Sequence, residues 1–181
     1  NNKIFLIAHF GRPSGKPERK YSLRFILPHL KQILKLNKVY FLENFNSQAV
    51  KKKMNEMQSG EICLVENIRF LKEEEKIDLQ FAKKISELFD IYVNDAFSAS
   101  HRNHTSIIGF PKFLPSVAGN NMILEIDNIN SFLNNDKKPN MAIIGGSKIS
   151  TKIALLNNLV EKFSTVAIGG AMANTFLLAN N

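Results

Sequence analysis

The sequence predicts an α/β protein whose mostly parallel sheets are covered by helices on both faces. Short apolar segments, typical of buried strands, alternate along the chain with segments whose apolar residues recur every three or four positions, typical of helices. A turn rich in glycine and proline, GRPSGKP, follows the first apolar segment. Hydrophobic residues make up 44% of the chain and charged residues 22%, as in ordinary globular proteins.

The first part of the chain contains four predicted strands and the helices between them. The strands KIFLIAHF, KVYFLEN, EICLVE and IYVNDAF occupy residues 3–10, 38–44, 61–66 and 91–97. The first helix begins after Ser22, a suitable cap, and has an apolar face from Leu23 to Leu34. We expect Pro28 to distort its first turn, because proline lacks the N–H group that a helix interior uses. Two further helices are predicted at residues 48–57 and 79–88.

The second part of the chain repeats the alternation after a long helical segment. Residues 114–133 have helical spacing, and NDKKP at residues 135–139 indicates a break. The strands MAIIGG and TVAIGG follow, each with a helix after it. We therefore predict a first domain at residues 1–117, a connecting helix at 118–135 and a second domain from 136 to 181.

The charge and the cysteine content narrow the class of protein. Lys and Arg number 24 against 16 Asp and Glu, a net charge of +8, which fits a nucleic acid, an acidic membrane surface, a small anionic substrate or a merely solubilising surface. No segment has the roughly 18 consecutive apolar residues that a membrane span needs. The one cysteine, Cys63, excludes an internal disulfide framework, fits a reducing cytoplasm and is expected to be buried and inert.

Three arginines follow three of the predicted strands. Arg12 lies in AHFGRP, Arg69 in ENIRF and Arg102 in NDAFSASHRNH. The carboxyl ends of parallel strands lie along one edge of a sheet, so these side chains can converge on one anion. The planar guanidinium group binds carboxylate or phosphate through two hydrogen bonds and stays charged. The alternative for each arginine alone is a surface ion pair.

Histidines and one aspartate accompany these arginines. His9 precedes Arg12 by three residues, which favours a shared ligand. His101 and His104 have a spacing that metal ligands can have, but no cysteine or glutamate pair nearby completes a zinc site. Asp95 is expected to orient its loop or to pair with an arginine rather than to act as a general base. His29, in the first helix, is interpreted as structural.

The second part offers a different anion site. A glycine pair after each strand, in IIGGSKISTKI and AIGGAMANTF, lets the backbone approach a ligand, and a helix N-terminus supplies N–H groups for phosphate. Lys148 and Lys152 lie one helical turn apart. The segments match neither the Walker A loop nor the G-x-G-x-x-G fingerprint, and tight helix–strand packing is the alternative. Two anion sites in two domains suggest phosphoryl transfer, in which positioning and charge neutralisation carry most of the catalysis.

These segments resemble, in the same order, the motifs of the phosphoglycerate kinase family. The matching segments are AHFGRPSGKPERKYSL, VENIRFLKEEE, NDAFSASHRNHTSIIGFP, LPSVAG, IIGGSKISTKI and AIGGAMANTFL. The resemblance implies two Rossmann-like domains, the second incomplete, in a cytoplasmic and monomeric glycolytic enzyme. The implied reaction transfers a phosphoryl group between 1,3-bisphosphoglycerate and ADP, giving 3-phosphoglycerate and ATP, with Mg bound to the nucleotide and with hinge closure.

The resemblance also implies roles for residues of this sequence. The glycerate would be held by His9, Arg12, Arg69 and Arg102, with His101 and His104 as additional members of that patch. The nucleotide would be held by Gly146, Ser147, Lys148, Lys152 and Gly170, with Lys152 nearest the transferred group. The family's RVDFNVP-like opening motif and its later nucleotide loops are absent, so we expect a fragment that is inactive alone. The second glycine run reads GGA where many members have GGG.

Two other classes of function remain open from the residues alone. A nucleic-acid-binding protein would fit the pI near 9.6, but it should interleave aromatic with basic residues or carry a known module. The missing motifs also allow a non-catalytic remnant or an assembly fragment. No nucleic acid and no membrane is predicted as a partner.

Overall fold

The computed structural model of the protein describes residues 2–35, 38–134, 138–146, 149–150 and 152–180. The chain forms two compact units, Asn1–Ile123 and Leu124–Asn181. Every strand pair in the described part of the chain is parallel, and helices connect the strands. The predicted α/β class with parallel sheets and covering helices is therefore confirmed.

A three-stranded sheet forms the centre of the first unit. It consists of β1 (Ile4–Leu6), β2 (Val39–Leu42) and β3 (Ile62–Val65), with β3 in the middle. Apolar side chains of β3 are buried because strands flank it on both edges and helices pack on it. The central residue Cys63 is fully buried, as predicted, and burial raises the pKa of its thiol to about 11, so the reactive thiolate is disfavoured.

Three α-helices accompany this sheet in the first unit. They are α1 (Leu27–Leu34), α2 (Ser47–Glu56) and α3 (Leu79–Ser86). Side chains just before the last two satisfy free N–H groups: Asn46 Oδ1 accepts from Ala49 N at 2.9 Å, and Asp78 Oδ1 accepts from Phe81 N at 2.9 Å.

The first predicted helix differs from the observed one. Leu23–Ile26 forms a separate 3-10 helix, which Ser22 caps by accepting from Arg24 N at 3.2 Å. The α-helix begins only at Leu27, so Pro28 lies in its first turn. Proline is well tolerated there because the first N–H groups of a helix have no partner within it. The single continuous α-helix was therefore wrong, whereas the first turn of the predicted helix is distorted as expected, since it forms the 3-10 turn Leu23–Ile26.

The segment after residue 114 also corrects the sequence prediction. Ser116–Ala118 is a strand, β5, that pairs in parallel with β4 (Tyr92–Asn94), and only then does α4 (Asn120–Leu133) begin. Helical spacing across 114–133 concealed this strand, because three residues are too few for an alternating pattern to stand out. The division between the two units falls inside α4.

The second unit is a smaller strand–helix repeat. It contains β6 (Met141–Gly145) and β7 (Thr165–Gly169), paired in parallel from end to end, with α5 (Ile153–Lys162) and α6 (Ala171–Ala179). Its buried core consists of Ile144, Leu156 and Met172. Among the residues described, no helix combines the length and the apolar character needed to cross a bilayer.

Candidate anion-binding sites

The loop after β1 is held directly against the turn after β3. Ile68 N donates to Ala8 O at 3.1 Å, and Gly15 N donates to Arg69 O at 3.1 Å. These two backbone hydrogen bonds clamp the loop at both ends. As a result, His9 and Arg12 are held next to the turn that carries Arg69.

Asn67 is the polar centre of this arrangement. Its side chain is 1% exposed, and its Nδ2 donates to Phe10 O at 2.7 Å and to Tyr21 O at 2.9 Å. Its Oδ1 accepts from Arg69 N at 3.1 Å. One buried amide thus fixes three backbone segments at once. The sequence analysis did not select Asn67, because an asparagine at a strand end is more often a simple turn residue.

Gly11 permits the loop to turn tightly over an aromatic ring. Its φ is +63°, a conformation that favours glycine, and a Cβ built on it would lie 2.3 Å from the ring of Tyr21. Any side chain at Gly11 would therefore displace either Tyr21 or the loop.

Arg69 is a buried cation with incomplete hydrogen bonding. Its side chain is 4% exposed, and Nη1 donates to Gly11 O at 2.7 Å. Nε lies 3.8 Å from Glu75 Oε1 but has no hydrogen-bond partner within the described residues. Burial, and then the neighbouring charge of Arg102, lower the pKa of Arg69, while Glu75 opposes this.

Positive groups gather around Arg69. The pKa of His9 is lowered first by loss of water around its ring and then by the positive groups Arg69, Arg102 and His104. The Nε atom of Arg102 is buried and, like that of Arg69, has no hydrogen-bond partner in the described part of the chain. Arg12 contributes a further charge that lowers the pKa of Arg69. We call His9, Arg12, Arg69, Arg102 and His104 the cation cluster.

A buried carboxylate that the sequence analysis missed borders the cation cluster. Glu74 is 2% exposed and accepts from Ser106 N at 2.9 Å and from Ser106 Oγ at 2.6 Å. Its Oε1 also lies 3.4 Å from Nδ1 of His104. In the sequence, Glu74 is the second of three consecutive glutamates, and nothing there distinguishes it from a solvated charge run.

Asp95 and His101 are not members of the cation cluster. Asp95 Oδ1 accepts from Met122 N at 2.9 Å and Oδ2 accepts from Asn121 Nδ2 at 2.7 Å, so Asp95 caps the start of α4. These hydrogen bonds lower the pKa of Asp95. The alternative of an arginine pair finds no support in these contacts. His101 is exposed and is not among the charges that act on His9.

In the second unit, two glycine turns lie side by side. A Cβ on Gly170 would lie 3.7 Å from the backbone of Gly146, and Gly146 O accepts from Met172 N at 2.9 Å. Lys152 immediately precedes α5, and its Nζ donates to Gly145 O at 2.6 Å. Gly146, Gly170 and Lys152 are therefore neighbours. The predicted residues Ser147 and Lys148 lie outside the described residues.

Metal ligands do not cluster in the described residues. Across those positions, no group of three His, Cys, Asp or Glu side chains could hold a metal ion. His101 and His104 thus lack further ligands in the part of the chain that the structure describes.

The fold and these contacts define an α/β protein with a cation cluster beyond the ends of β1 and β3 and a glycine turn before a helix. The sequence profile of the family "Phosphoglycerate kinase" matches residues 1–181. The chain belongs to the phosphoglycerate kinase family, as its motifs indicated.

Relatives and solved structures agree with this assignment. The chain is 46% identical over 177 residues to "Phosphoglycerate kinase" of Chelativorans sp. (strain BNC1), covering 98% of the chain and 44% of that relative. It is 45% identical over 174 residues to that of Coprothermobacter proteolyticus, covering 96% and 44%.

Two solved structures share the fold. The phosphoglycerate kinase from Coxiella burnetii matches with a TM-score of 0.79 at 37% identity, over 98% of this chain and 44% of that one. The enzyme from Pyrococcus horikoshii OT3 matches with a TM-score of 0.81 at 28% identity, over 97% and 45%. The chain thus spans less than half the length of the relatives it matches.

Proposed function

We propose that the protein catalyses the phosphoglycerate kinase reaction, the reversible transfer of a phosphoryl group between 1,3-bisphosphoglycerate and ADP that gives 3-phosphoglycerate and ATP in glycolysis. Since the chain spans 44% of its relatives' length, the proposal concerns a protein of their full length. One observation carries it: two neighbouring arginines, Arg69 and Arg102, each have a buried Nε without a hydrogen-bond partner among the described residues. Buried guanidinium groups with free donors favour an anionic ligand.

The cation cluster is the proposed site of the glycerate ligand. His9, Arg12, Arg69 and Arg102 would bind its phosphate and carboxylate. Burial, and then repulsion by neighbouring positive groups, lower the pKa values of His9 and Arg69, and a ligand with several negative charges offsets that repulsion. Arg69 is already fixed by Gly11 O, so little side-chain entropy is lost on binding.

The glycine turns of the second unit are the proposed nucleotide site. Gly146 and Gly170 would face the phosphates, and Lys152 supplies a positive charge at the start of α5. The Lys152 Nζ lies 2.6 Å from where a Cβ on Gly146 would be, so the absence of a side chain there is what admits the lysine. Ser147 and Lys148 complete the proposed set. Magnesium would arrive with the ATP or ADP, because the described residues offer no ligand cluster that would hold it.

Catalysis would come from positioning and charge. Phosphoryl transfer needs reactants held in line and the charge on the transferred group neutralised. Lys152 is the catalytic residue of the proposal: its Nζ would leave Gly145 O and follow the transferred group, where the charge is greatest in the transition state. Cytoplasmic location, a monomeric state and the absence of nucleic-acid and membrane partners complete the proposal.

A binding titration tests the proposal. Calorimetry with 3-phosphoglycerate should show binding by the full-length protein, and Arg102→Ala should weaken it by about 1.5–3 kcal/mol, the cost of a charge-assisted hydrogen bond. The matched control is Arg19→Ala, which removes an exposed arginine of the same unit and should leave affinity unchanged within about twofold.

Titrations with nucleic acid distinguish the proposal from the main rival function, nucleic-acid binding. Duplex DNA or RNA binding that weakens steeply with salt, in the absence of 3-phosphoglycerate binding, would replace the proposal with a nucleic-acid-binding function.

A further inference from the structure

We infer that Glu74 is a positioning residue for the cation cluster: its buried carboxylate keeps a proton on Nδ1 of His104 and so leaves Nε2 as the ring nitrogen that can face an anion. The role in ligand binding rests on the proposed function. The proton position itself does not depend on that function.

Glu74 contacts three groups of one short segment. Its Oε2 accepts from Ser106 N at 2.9 Å, its Oε1 accepts from Ser106 Oγ at 2.6 Å, and Oε1 lies 3.4 Å from His104 Nδ1. The side chain of Glu74 is 3% exposed and that of His104 is 14% exposed, so water competes little for these contacts. Loss of these contacts would leave a buried charge without its hydrogen bonds, which is costly.

The fold supports this contact independently of the carboxylate. Thr105, between His104 and Ser106, is fully buried, and its Oγ1 donates to Glu73 O at 2.5 Å and accepts from Asp78 N at 2.8 Å. The segment around Glu74 is therefore bound to the segment around His104 by hydrogen bonds that do not involve the Glu74 carboxylate. A Glu74→Gln variant keeps these bonds as well as the size and shape of the side chain.

Polar and charged groups surround Glu74. Besides His104, the charge of Arg69 acts on it from the cation cluster. Burial, and then the Glu74 charge, raise the pKa of Tyr92 to about 12, so Tyr92 stays neutral. Two hydrogen bonds from Ser106 and nearby positive groups compensate the buried charge.

The proton position follows from what each group can donate or accept. A carboxylate only accepts hydrogen bonds, so the nitrogen that faces it is favoured as N–H. A neutral His104 then carries its proton on Nδ1 and leaves Nε2 bare. When the ring is protonated, the second N–H is on Nε2, where it can donate to a phosphate or carboxylate. With the carboxylate replaced by an amide, an Nδ1 acceptor can receive a hydrogen bond from the amide NH₂, and the proton moves to Nε2.

Nitrogen-15 NMR of the full-length protein labelled at histidine tests this directly. At roughly pH 8, where ordinary histidine rings are neutral, the His104 signals should report a protonated Nδ1 in the wild type and a protonated Nε2 in Glu74→Gln. The chain has four histidines, and the signal set that disappears in His104→Ala is the one that belongs to His104. Glu75→Gln is the matched control, because it removes the adjacent carboxylate without touching His104, and it should leave the proton on Nδ1.

A binding cycle tests the effect on the ligand. We expect 3-phosphoglycerate binding at roughly pH 8 to be accompanied by uptake of up to about one proton in the wild type and of less in Glu74→Gln, because the bare Nε2 must be protonated before it can donate to the anion, whereas the variant already carries a proton there. Calorimetry in two buffers that differ in their heat of protonation measures this uptake, and Glu74→Gln should not change it in a His104→Ala background. An equal change in proton uptake in both backgrounds would overturn the positioning role.

The NMR and binding measurements test the proton position and the proposed function separately. A wild-type proton on Nε2 overturns the inference without any variant, so the test does not depend on whether Glu74→Gln folds. If the wild-type protein shows the Nδ1 proton but no binding of 3-phosphoglycerate, the proposed function is wrong and the proton assignment stands.

Discussion

The side chains and backbone of the two proposed anion sites are held in place by different means. In the first unit, buried polar side chains fix the cation cluster: Asn67 joins three backbone segments and Glu74 holds the segment of His104 and Ser106. In the second unit, the backbone forms the proposed site: two glycine turns lie side by side, and the Lys152 Nζ donates a hydrogen bond to Gly145 O. The described core of the first unit has ten buried members against three in the second.

This difference follows from the size of each core. A buried asparagine or glutamate costs free energy unless its hydrogen bonds are satisfied, and only a well-packed surrounding can hold its partners in place. The first unit can support such residues, whereas glycine turns require only space and the right φ. We therefore expect substitutions at the cation cluster to affect stability and binding together, and those at the glycine turns to affect ligand chemistry more than stability.

Asn67→Ala should produce the largest effect. It leaves the carbonyls of Phe10 and Tyr21 and the N–H of Arg69 without their partner, which should lower the free energy of unfolding by about 3 kcal/mol and weaken glycerate binding. Denaturant titration measures the loss. Asn128→Ala, which removes one exposed hydrogen bond to Leu124 O, is the control and should change stability by less than about 0.5 kcal/mol. A similar loss in both variants would contradict the role of Asn67.

Lys152→Ala should separate chemistry from stability in the second unit. We expect kcat to fall roughly 100-fold, about 2.7 kcal/mol, with a much smaller loss of nucleotide affinity, because the charge matters most in the transition state. Steady-state kinetics and a nucleotide titration of the full-length protein give the two values. Lys162→Ala, at the exposed end of the same helix, should change neither. Equal losses of kcat and affinity would indicate simple binding by Lys152.

Gly11→Ala tests how tightly the loop after β1 is packed. Gly11 and Gly60 both have positive φ, +63° and +87°, but a Cβ would meet Tyr21 at 2.3 Å only at Gly11 and nothing within 4 Å at Gly60. Each alanine should cost about 1 kcal/mol for its backbone conformation. The further loss at Gly11, roughly 1–2 kcal/mol in thermal or denaturant unfolding, measures the contact with Tyr21. Equal losses would mean that the loop moves freely.

Sequence reasoning predicted the features that depend on local pattern. The alternation of strands and helices identified the fold, and arginines just past strand ends identified Arg12, Arg69 and Arg102, which do lie together with His9 and His104. It could not predict residues whose role depends on distant partners. Asn67 bonds to residues 57 and 46 positions earlier, and Glu74 to one 32 positions later. The strand at 116–118 was missed for the same reason, since its evidence is its pairing with β4.

The smallest effect should be the pH dependence that His9 adds to stability. Its pKa is lowered in the folded protein from the ordinary value of about 6.5, by loss of water and by the neighbouring positive charges. The folded state therefore binds this proton less readily than the unfolded state, so His9 contributes full stability above about pH 6.5 and loses it as pH falls toward the folded pKa. As the pH is lowered across this window, the midpoint temperature of thermal unfolding should fall less for His9→Gln than for the wild type. Addition of 3-phosphoglycerate should shrink the difference, because its negative charge offsets Arg69 and Arg102; a larger difference with ligand would mean that the anion binds away from His9.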